Sequence, residues 1–435
     1  TGPISVSTYM SLCSAHYYSS PSHPVFGSKG DFVTSPEISQ LLAVWLLYQW
    51  QLAGSARRIR LIEFGPGRGT LMDDVLRVAY RLNRANPPEI CVSLVETSKS
   101  LRDVQAQTLR KHEVHNVTWC SSIDKIPRAE ENQFTMVLAH EFFDALPIRR
   151  PSSVDDDTRL STVLSREPTP FAALLNKMAG ATIGPQGTVP SPSVVIPPSF
   201  APAPPPASSP LPEGPSSPFP ALVKRLAALP ISSQFEVCLD AWSVSRGIAR
   251  LISGYGGAPP TTGESAEPTP EPPCKGCALI IDYGAARMFG DSFRAFKAHK
   301  HVSPFYAPGE CDVTANVDFE LLRDGVAGAA LSAARAHGPV SQGHFLKLMG
   351  LDLRMDALVQ SAKGDKDAEE RIRVAAQRLV QGYELPPMST NEDQTSRDNV
   401  STKSQDFKRG TGMGREYQIL GITSGLPGVP WPFIS

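Results

Sequence analysis

The stretch LIEFGPGRGTLMDDVLR at residues 61–77 decides how the rest of the chain is read. Its first residues, Leu61 and Ile62, are apolar and lead to an acid, Glu63. Gly65, Gly67 and Gly69 follow at alternate positions, with Pro66 between the first two. After Thr70 the pattern turns helical: Leu71, Val75 and Leu76 are apolar, while Asp73, Asp74 and Arg77 are charged. The order is that of a strand, a tight glycine turn and a helix N-terminus. Such a turn suits a nucleotide phosphate, a dinucleotide or S-adenosylmethionine.

The neighbouring residues weigh these ligands against one another. A phosphate loop needs a Lys followed by Ser or Thr after its glycines, and none is present. A dinucleotide fingerprint spaces its glycines G-x-G-x-x-G; here the third comes one residue early and Thr70 takes its place. Glu63 would also repel a pyrophosphate. S-adenosylmethionine carries an ammonium and a cationic sulfur, so an acid at the strand end suits it, and glycines let the backbone approach closely. A second apolar run, ICVSLVE at 90–96, ends in Glu96, placed to accept hydrogen bonds from ribose hydroxyls. That acid serves either ligand. The residues alone favour S-adenosylmethionine and leave a nicotinamide or flavin ligand, or a purely structural turn, as alternatives.

Further strands are expected at 59–64, 117–121, 134–139 (FTMVLA) and 278–282 (ALIID), with a helix at 99–111. Strands alternating with helices imply an α/β fold with a parallel sheet, whose ligands bind beyond the strand C-termini. Upstream, Thr34, Ser35, Pro36 and Glu37 read as a helix start, and the stripe Leu41, Leu42, Trp45 and Leu46 after it as core. The strand at 134–139 runs into HEFFDALP, which sends Glu141 and Asp144 off the sheet edge beside the expected sulfonium. Two carboxylates match the planar fork of a guanidinium, hold it and aim one nitrogen. Phe143 reads as core and His140 as a hydrogen-bonding spacer. The fifth strand ends in Asp282-Tyr283-Gly284. The long interval before it leaves room for a substrate-binding elaboration.

Composition narrows the classes. Lys and Arg number 42 against 43 Asp and Glu, for a net charge of -1, so no basic footprint for nucleic acid is present. No apolar run reaches the roughly 20 residues of a membrane span. Seven cysteines without a regular framework point to a reducing compartment. The lone CxxC at Cys274 and Cys277 has no second pair to complete a zinc site and reads as two ordinary thiols, so no metal is expected. Residues 185–220 are rich in Pro, Ser and Ala and read as a disordered linker; 258–273 and 389–411 read as disordered loops.

Together with GPISVSTYM at 2–10, KGDFVTSPEISQ at 29–40, FRAFKAHK at 293–300, DVTANVDF at 312–319, HGPVSQGHFLKLMG at 337–350 and MGREYQILGI at 413–422, these motifs resemble the MidA-like mitochondrial methyltransferases. Those are protein arginine methyltransferases that assist assembly of respiratory complex I. The resemblance spans nearly the whole chain and omits the three low-complexity stretches. It implies a class I S-adenosylmethionine-dependent methyltransferase, Rossmann-like, with a seven-stranded sheet and an added substrate subdomain. On that basis 1–58 is an N-terminal helical cap, 59–150 and 274–435 form the core, and 151–257 is the insertion. It further implies a matrix location and symmetric dimethylation of an arginine on a peripheral-arm subunit. Glu63, Gly65, Pro66, Gly67, Gly69, Thr70 and Glu96 fall on the cofactor motif, and Thr34 and Ser35 on a segment expected to cover the cofactor. Glu141, Asp144 and Asp282 fall on acidic motif positions and are the candidate catalytic residues. Two departures stand out: His16 precedes Tyr17-Tyr18 where the family has Gly, and Asn316 stands where many relatives have His. Two other functions stay in view, a cofactor-binding assembly chaperone without turnover and a small-molecule methyltransferase.

Overall fold

The computed structural model describes residues 4–19, 36–112, 114, 116–150, 162–164, 192–194, 220–229, 233–255, 274–298, 300–382 and 412–434. Thr34 and Ser35, the two loops at 258–273 and 389–411, and most of the linker at 185–220 lie outside these residues.

Helix α1 (Val6–Ser19) and helix α2 (Pro36–Leu52) precede the sheet. Strand β1 (Arg58–Phe64) leads through the glycine turn into α3 (Thr70–Leu82), then β2 (Glu89–Val95), α4 (Lys99–Leu109), β3 (Asn116–Cys120) and β4 (Gln133–His140). After the insertion come α5 (Pro220–Ala227), α6 (Leu239–Ile252) and β5 (Gly276–Ala285). A small ladder of β6 (Arg294–Lys297), β7 (Lys300–Val302) and β8 (Asp312–Thr314) is followed by β9 (Val317–Asp318) and α7 (Phe319–Gly328). The chain closes with β10 (Ala334–Ser341), α8 (Gln342–Leu348), α9 (Leu351–Ser361), α10 (Lys366–Val380), the single turn α11 (Met413–Glu416) and β11 (Tyr417–Ser424).

The main sheet runs β10-β11-β5-β4-β1-β2-β3, and the two-residue β9 adds an eighth strand on the end of β5. Strands β3, β2, β1, β4 and β5 are parallel, while β11 is antiparallel to both its neighbours. This is the seven-stranded class I methyltransferase topology, with one short addition. The chain winds outward from β1 to β3 and returns to β4 on the other side, so the crevice between β1 and β4 is the switch point where ligands bind.

Alternation along each strand feeds two cores. Ile59, Leu61, Met136, Leu138, Leu279 and Ile281 face α2, α3 and the helices after β10. Ile62, Phe64, Val137, Ala139, Ala278 and Ile280 face α6 and α7. The expected stripe Leu41, Leu42, Trp45 and Leu46 is buried in the first core, as is Phe143 in the second. Helix α6 lies inside the stretch assigned to the insertion, yet it is the crossover between β4 and β5 and packs on the sheet. The ladder β7-β6-β8 carries its own small core, in which Val6, Tyr9 and Met10 of α1 meet Ala295, Cys311 and Val313. Three residues of the proline-rich stretch, Pro192–Val194, pair with Ile4–Ser5 and with Thr162–Leu164.

Candidate active site

All three loop glycines have left-handed backbones, with φ of 60° at Gly65, 53° at Gly67 and 79° at Gly69, which is why glycine occupies each. The Gly69 N–H donates to the Pro66 carbonyl at 2.7 Å and closes the turn. Gly69 is the N-cap of α3, and Thr70 begins it. A side chain at Gly65 would meet Phe142 Cδ2 at 3.1 Å. The loop therefore lies against the turn that carries Glu141 and Asp144.

Glu63, one residue before the end of β1, lies beneath this loop and is 3% exposed. Burial pushes its carboxyl up to about 8, although the Met72 backbone N–H draws it down. Its Oε2 is buried and has no hydrogen-bond partner. An orphaned acceptor beside left-handed glycines and a helix N-terminus fits a cationic, close-packed ligand and disfavours a phosphate. Glu96 sits at the end of β2, with Oε1 accepting from the Ser98 N–H at 2.7 Å and Oε2 from Gln105 Nε2 at 3.2 Å. The same Gln105 nitrogen donates to the Gly67 carbonyl at 2.8 Å, and Trp119 Nε1 donates to Gln105 Oε1 at 2.9 Å. Fully buried Gln105 thus ties the glycine turn to the β2 acid.

After β4 the chain turns sharply at Glu141, whose φ of 51° is left-handed. The segment forms a turn in which the Leu146 N–H donates to the Phe143 carbonyl. Strand β5, expected to end at Asp282, runs on to Ala285, so Asp282 lies inside it and is fully buried beneath the turn. Asp282 Oδ2 accepts from the backbone N–H groups of Phe142, Phe143 and Asp144 at 3.2, 2.9 and 3.3 Å, and Oδ1 accepts from that of Tyr283 at 2.8 Å. Burial and the neighbouring Asp144 and Glu141 push the Asp282 pKa up, against the pull of these donors. Asp144 Oδ2 accepts from Thr314 Oγ1 at 2.6 Å, and its pKa is raised by burial. Burial pushes the Glu141 carboxyl up to about 7, with Asp144 adding to the rise and the Tyr417 hydroxyl opposing it. His140 is held neutral by burial, its pKa down at about 4.

The structure therefore brings Glu63, Gly65, Pro66, Gly67, Gly69, Thr70 and Glu96 into one loop region, with Glu141, Asp144 and Asp282 beside it. Several neighbours were not assigned to the site from the sequence, although Arg294, Asn316 and Tyr417 lie in motifs that carry the family resemblance and Tyr18 belongs to its tyrosine pair. Gln105 looks like any polar residue of an amphipathic helix. Tyr417 donates its hydroxyl to Glu141 Oε1 at 2.9 Å from a strand 276 residues away. Tyr18 of α1 donates to Asp312 Oδ1 at 3.2 Å, and the Arg294 guanidinium donates to Asn316 Oδ1 at 2.6 Å. Cys274 and Cys277 form no disulfide.

The fold, the glycine loop and the acids that flank it define a class I S-adenosylmethionine-dependent methyltransferase. A family model described as "Putative S-adenosyl-L-methionine-dependent methyltransferase" matches residues 41–340. Protein arginine methyltransferase NDUFAF7, mitochondrial, of Xenopus tropicalis is 32% identical over 88% of this chain and 79% of its own length. The Homo sapiens protein of the same name is 31% identical over 88% and 77%. A crystal structure from Burkholderia thailandensis, bound to S-adenosyl-homocysteine, covers 99% of this chain and 90% of its own at a TM-score of 0.60 and 20% identity, which speaks to the fold. The chain belongs to the NDUFAF7 family of protein arginine methyltransferases.

Proposed function

We propose that this protein uses S-adenosylmethionine to methylate an arginine of a protein substrate in mitochondria, through Glu141 and Asp144. The observation that carries this reading is a pair of acids, Asp144 buried and Glu141 largely so, on a turn packed against the glycine loop. Bound at that loop, the cofactor supplies a methyl group activated on a sulfonium. Glu63 would hold a cationic end of the cofactor and Glu96 its ribose hydroxyls, and the backbone from Gly65 to Thr70 would allow its close approach. Glu141 and Asp144 grip the substrate guanidinium at two nitrogens and hold one in line, so that positioning and electrostatics do most of the work. Asp282 acts one step back, as the positioning residue that fixes the turn. Burial raises the carboxyls and so favours an incoming cation that lets them ionise.

The finer reading, which follows the family resemblance, is symmetric dimethylation in the matrix of an arginine on a peripheral-arm subunit of complex I. Mass spectrometry of complex I assembly intermediates with and without the enzyme tests it. Unchanged arginine methylation rejects that substrate. For the cofactor, calorimetric titration of S-adenosylmethionine should show binding to the wild type and none to Gly67→Val. A folded wild type that binds nothing would reduce the loop to a structural turn and favour an assembly chaperone. Asp144→Asn separates the remaining pair: support of assembly with transfer lost would make scaffolding the function.

A further inference from the structure

Beyond the acid pair lies a column of side chains that nothing above assigns to the reaction. It begins at Arg294 on β6, whose guanidinium is fixed by Asn316 Oδ1 at 2.6 Å and the Ser292 carbonyl at 3.1 Å. Asn316 is held in turn, since its backbone N–H donates to Ser292 Oγ at 2.9 Å. The guanidinium carbon stands 5.5 Å from the centre of the Tyr283 ring. The Tyr283 ring lies 4.1 Å from that of Tyr417, centre to centre. Tyr417 is 1% exposed, and its hydroxyl donates to Glu141 Oε1 at 2.9 Å. Four residues from three strands and one turn therefore end on a single carboxylate oxygen.

From this geometry we infer that Tyr417 is a positioning residue for Glu141: its hydroxyl orients the carboxylate and favours its ionised form, while Arg294 and Tyr283 lock the ring from behind. Glu141 needs such help. Its backbone N–H is taken up by the Ile281 carbonyl at 3.0 Å, and two further carboxyls, Asp144 and Asp282, lie close to its own. The groups facing it are His140 on β4, Asp144 on its own turn, Asp282 and Tyr283 on β5, and Tyr417 on β11, with Arg294 behind Tyr283. His140 Nε2 is 3.9 Å away and neutral. Tyr417 is therefore the one hydrogen bond the structure gives this carboxylate among the described residues. A phenol beside a carboxylate favours the charged form, and an aromatic face under a guanidinium gains from the cation above it.

The inference rests on the proposed acceptor role of Glu141, and the experiment keeps the two apart. Methyl transfer from labelled S-adenosylmethionine into protein of a mitochondrial extract is measured from pH 6 to 9 for the wild type, Tyr417→Phe and Tyr283→Leu. In parallel, the Glu141 carboxyl is titrated by carbon NMR in each. Tyr417→Phe keeps the ring and deletes only the hydroxyl. It should lose about tenfold in rate at neutral pH, the worth of one hydrogen bond to a charged group. Its rising limb and its Glu141 titration should both move to higher pH, with cofactor affinity unchanged. Tyr283→Leu should shift both in the same direction by less. A Glu141 titration that does not move in Tyr417→Phe overturns the inference, whether or not transfer is seen. A wild type that transfers nothing while that titration does shift counts against the proposed function and leaves the Tyr417–Glu141 link standing.

Discussion

Glu63 shows how one residue can be read from both ends. In the sequence it is an acid two positions before a glycine; in the fold it is a carboxyl raised to about 8 with one oxygen unpartnered. A cation arriving beside it should draw its pKa down, so cofactor binding near neutral pH should release a proton. Calorimetry in two buffers of different ionisation enthalpy reads this directly: identical binding enthalpies, together with an unweakened Glu63→Gln, would remove Glu63 from the site. The same group sets a pH trend in the ligand-free protein. A carboxyl raised on folding contributes stability that is complete below its unfolded value and fades as pH rises through about 8. Cofactor should therefore raise the melting temperature more at pH 8 than at pH 5. Gly65→Ala is the matching steric test, since its φ of 60° is left-handed and a Cβ would press on Phe142. It should cost roughly 1–2 kcal/mol of stability and weaken the cofactor. These residues were legible because glycine spacing and strand-end acids follow local rules. Gln105 and Tyr417 were not, because a polar residue on a helix and a tyrosine in a strand acquire a role only when the sheet brings distant ends together.

Five parallel strands were legible to within a few residues, because each is a short apolar run bounded by polar ones. The helix expected over 99–111 ends at Leu109. The ladder β6 to β8 was not, since strands of three or four residues carry too few side chains to show a period. The segment after β4 was expected to send two acids off the sheet edge, and the structure supplies the device that holds it: three of its backbone N–H groups are gathered on Asp282, which also accepts from that of Tyr283. Asp282→Ala should leave those donors without an acceptor and cost on the order of 3 kcal/mol, read from the midpoint of urea unfolding. Asp282→Asn keeps one acceptor oxygen and should cost less. A variant as stable as the wild type would mean that water replaces the carboxylate and that the turn holds itself.

On the scale of the whole molecule, one sheet positions the site and the insertion docks against its helices. The insertion is fastened where Arg225 of α5 meets Asp318, the N-cap of α7, and Asp324 further along the same helix. With Arg225 23% exposed, this pair is largely out of water, and Arg225→Met should destabilise by roughly 2 kcal/mol. Limited proteolysis gives the check: cleavage near α5 should quicken while the sheet resists, and unchanged cleavage would mean that Leu222 and its apolar neighbours hold α5 by themselves. The position of that insertion could be inferred from the long gap between strands, but its seam could not, because the two sides of the seam are about a hundred residues apart.

Strand β11 comes near the end of the described chain, yet it is an interior strand, flanked by β5 and β10. During synthesis, a ribosome that has already delivered the glycine loop, Glu141 and Asp144 has still delivered a sheet with an empty slot. Until residues 417–424 emerge, β5 and β10 present unpaired backbone edges, and Glu141 lacks the tyrosine it bonds in the finished fold. A premature stop between β10 and β11 therefore leaves a nascent product that is open within its sheet, with an adhesive edge for chaperones or for its own copies.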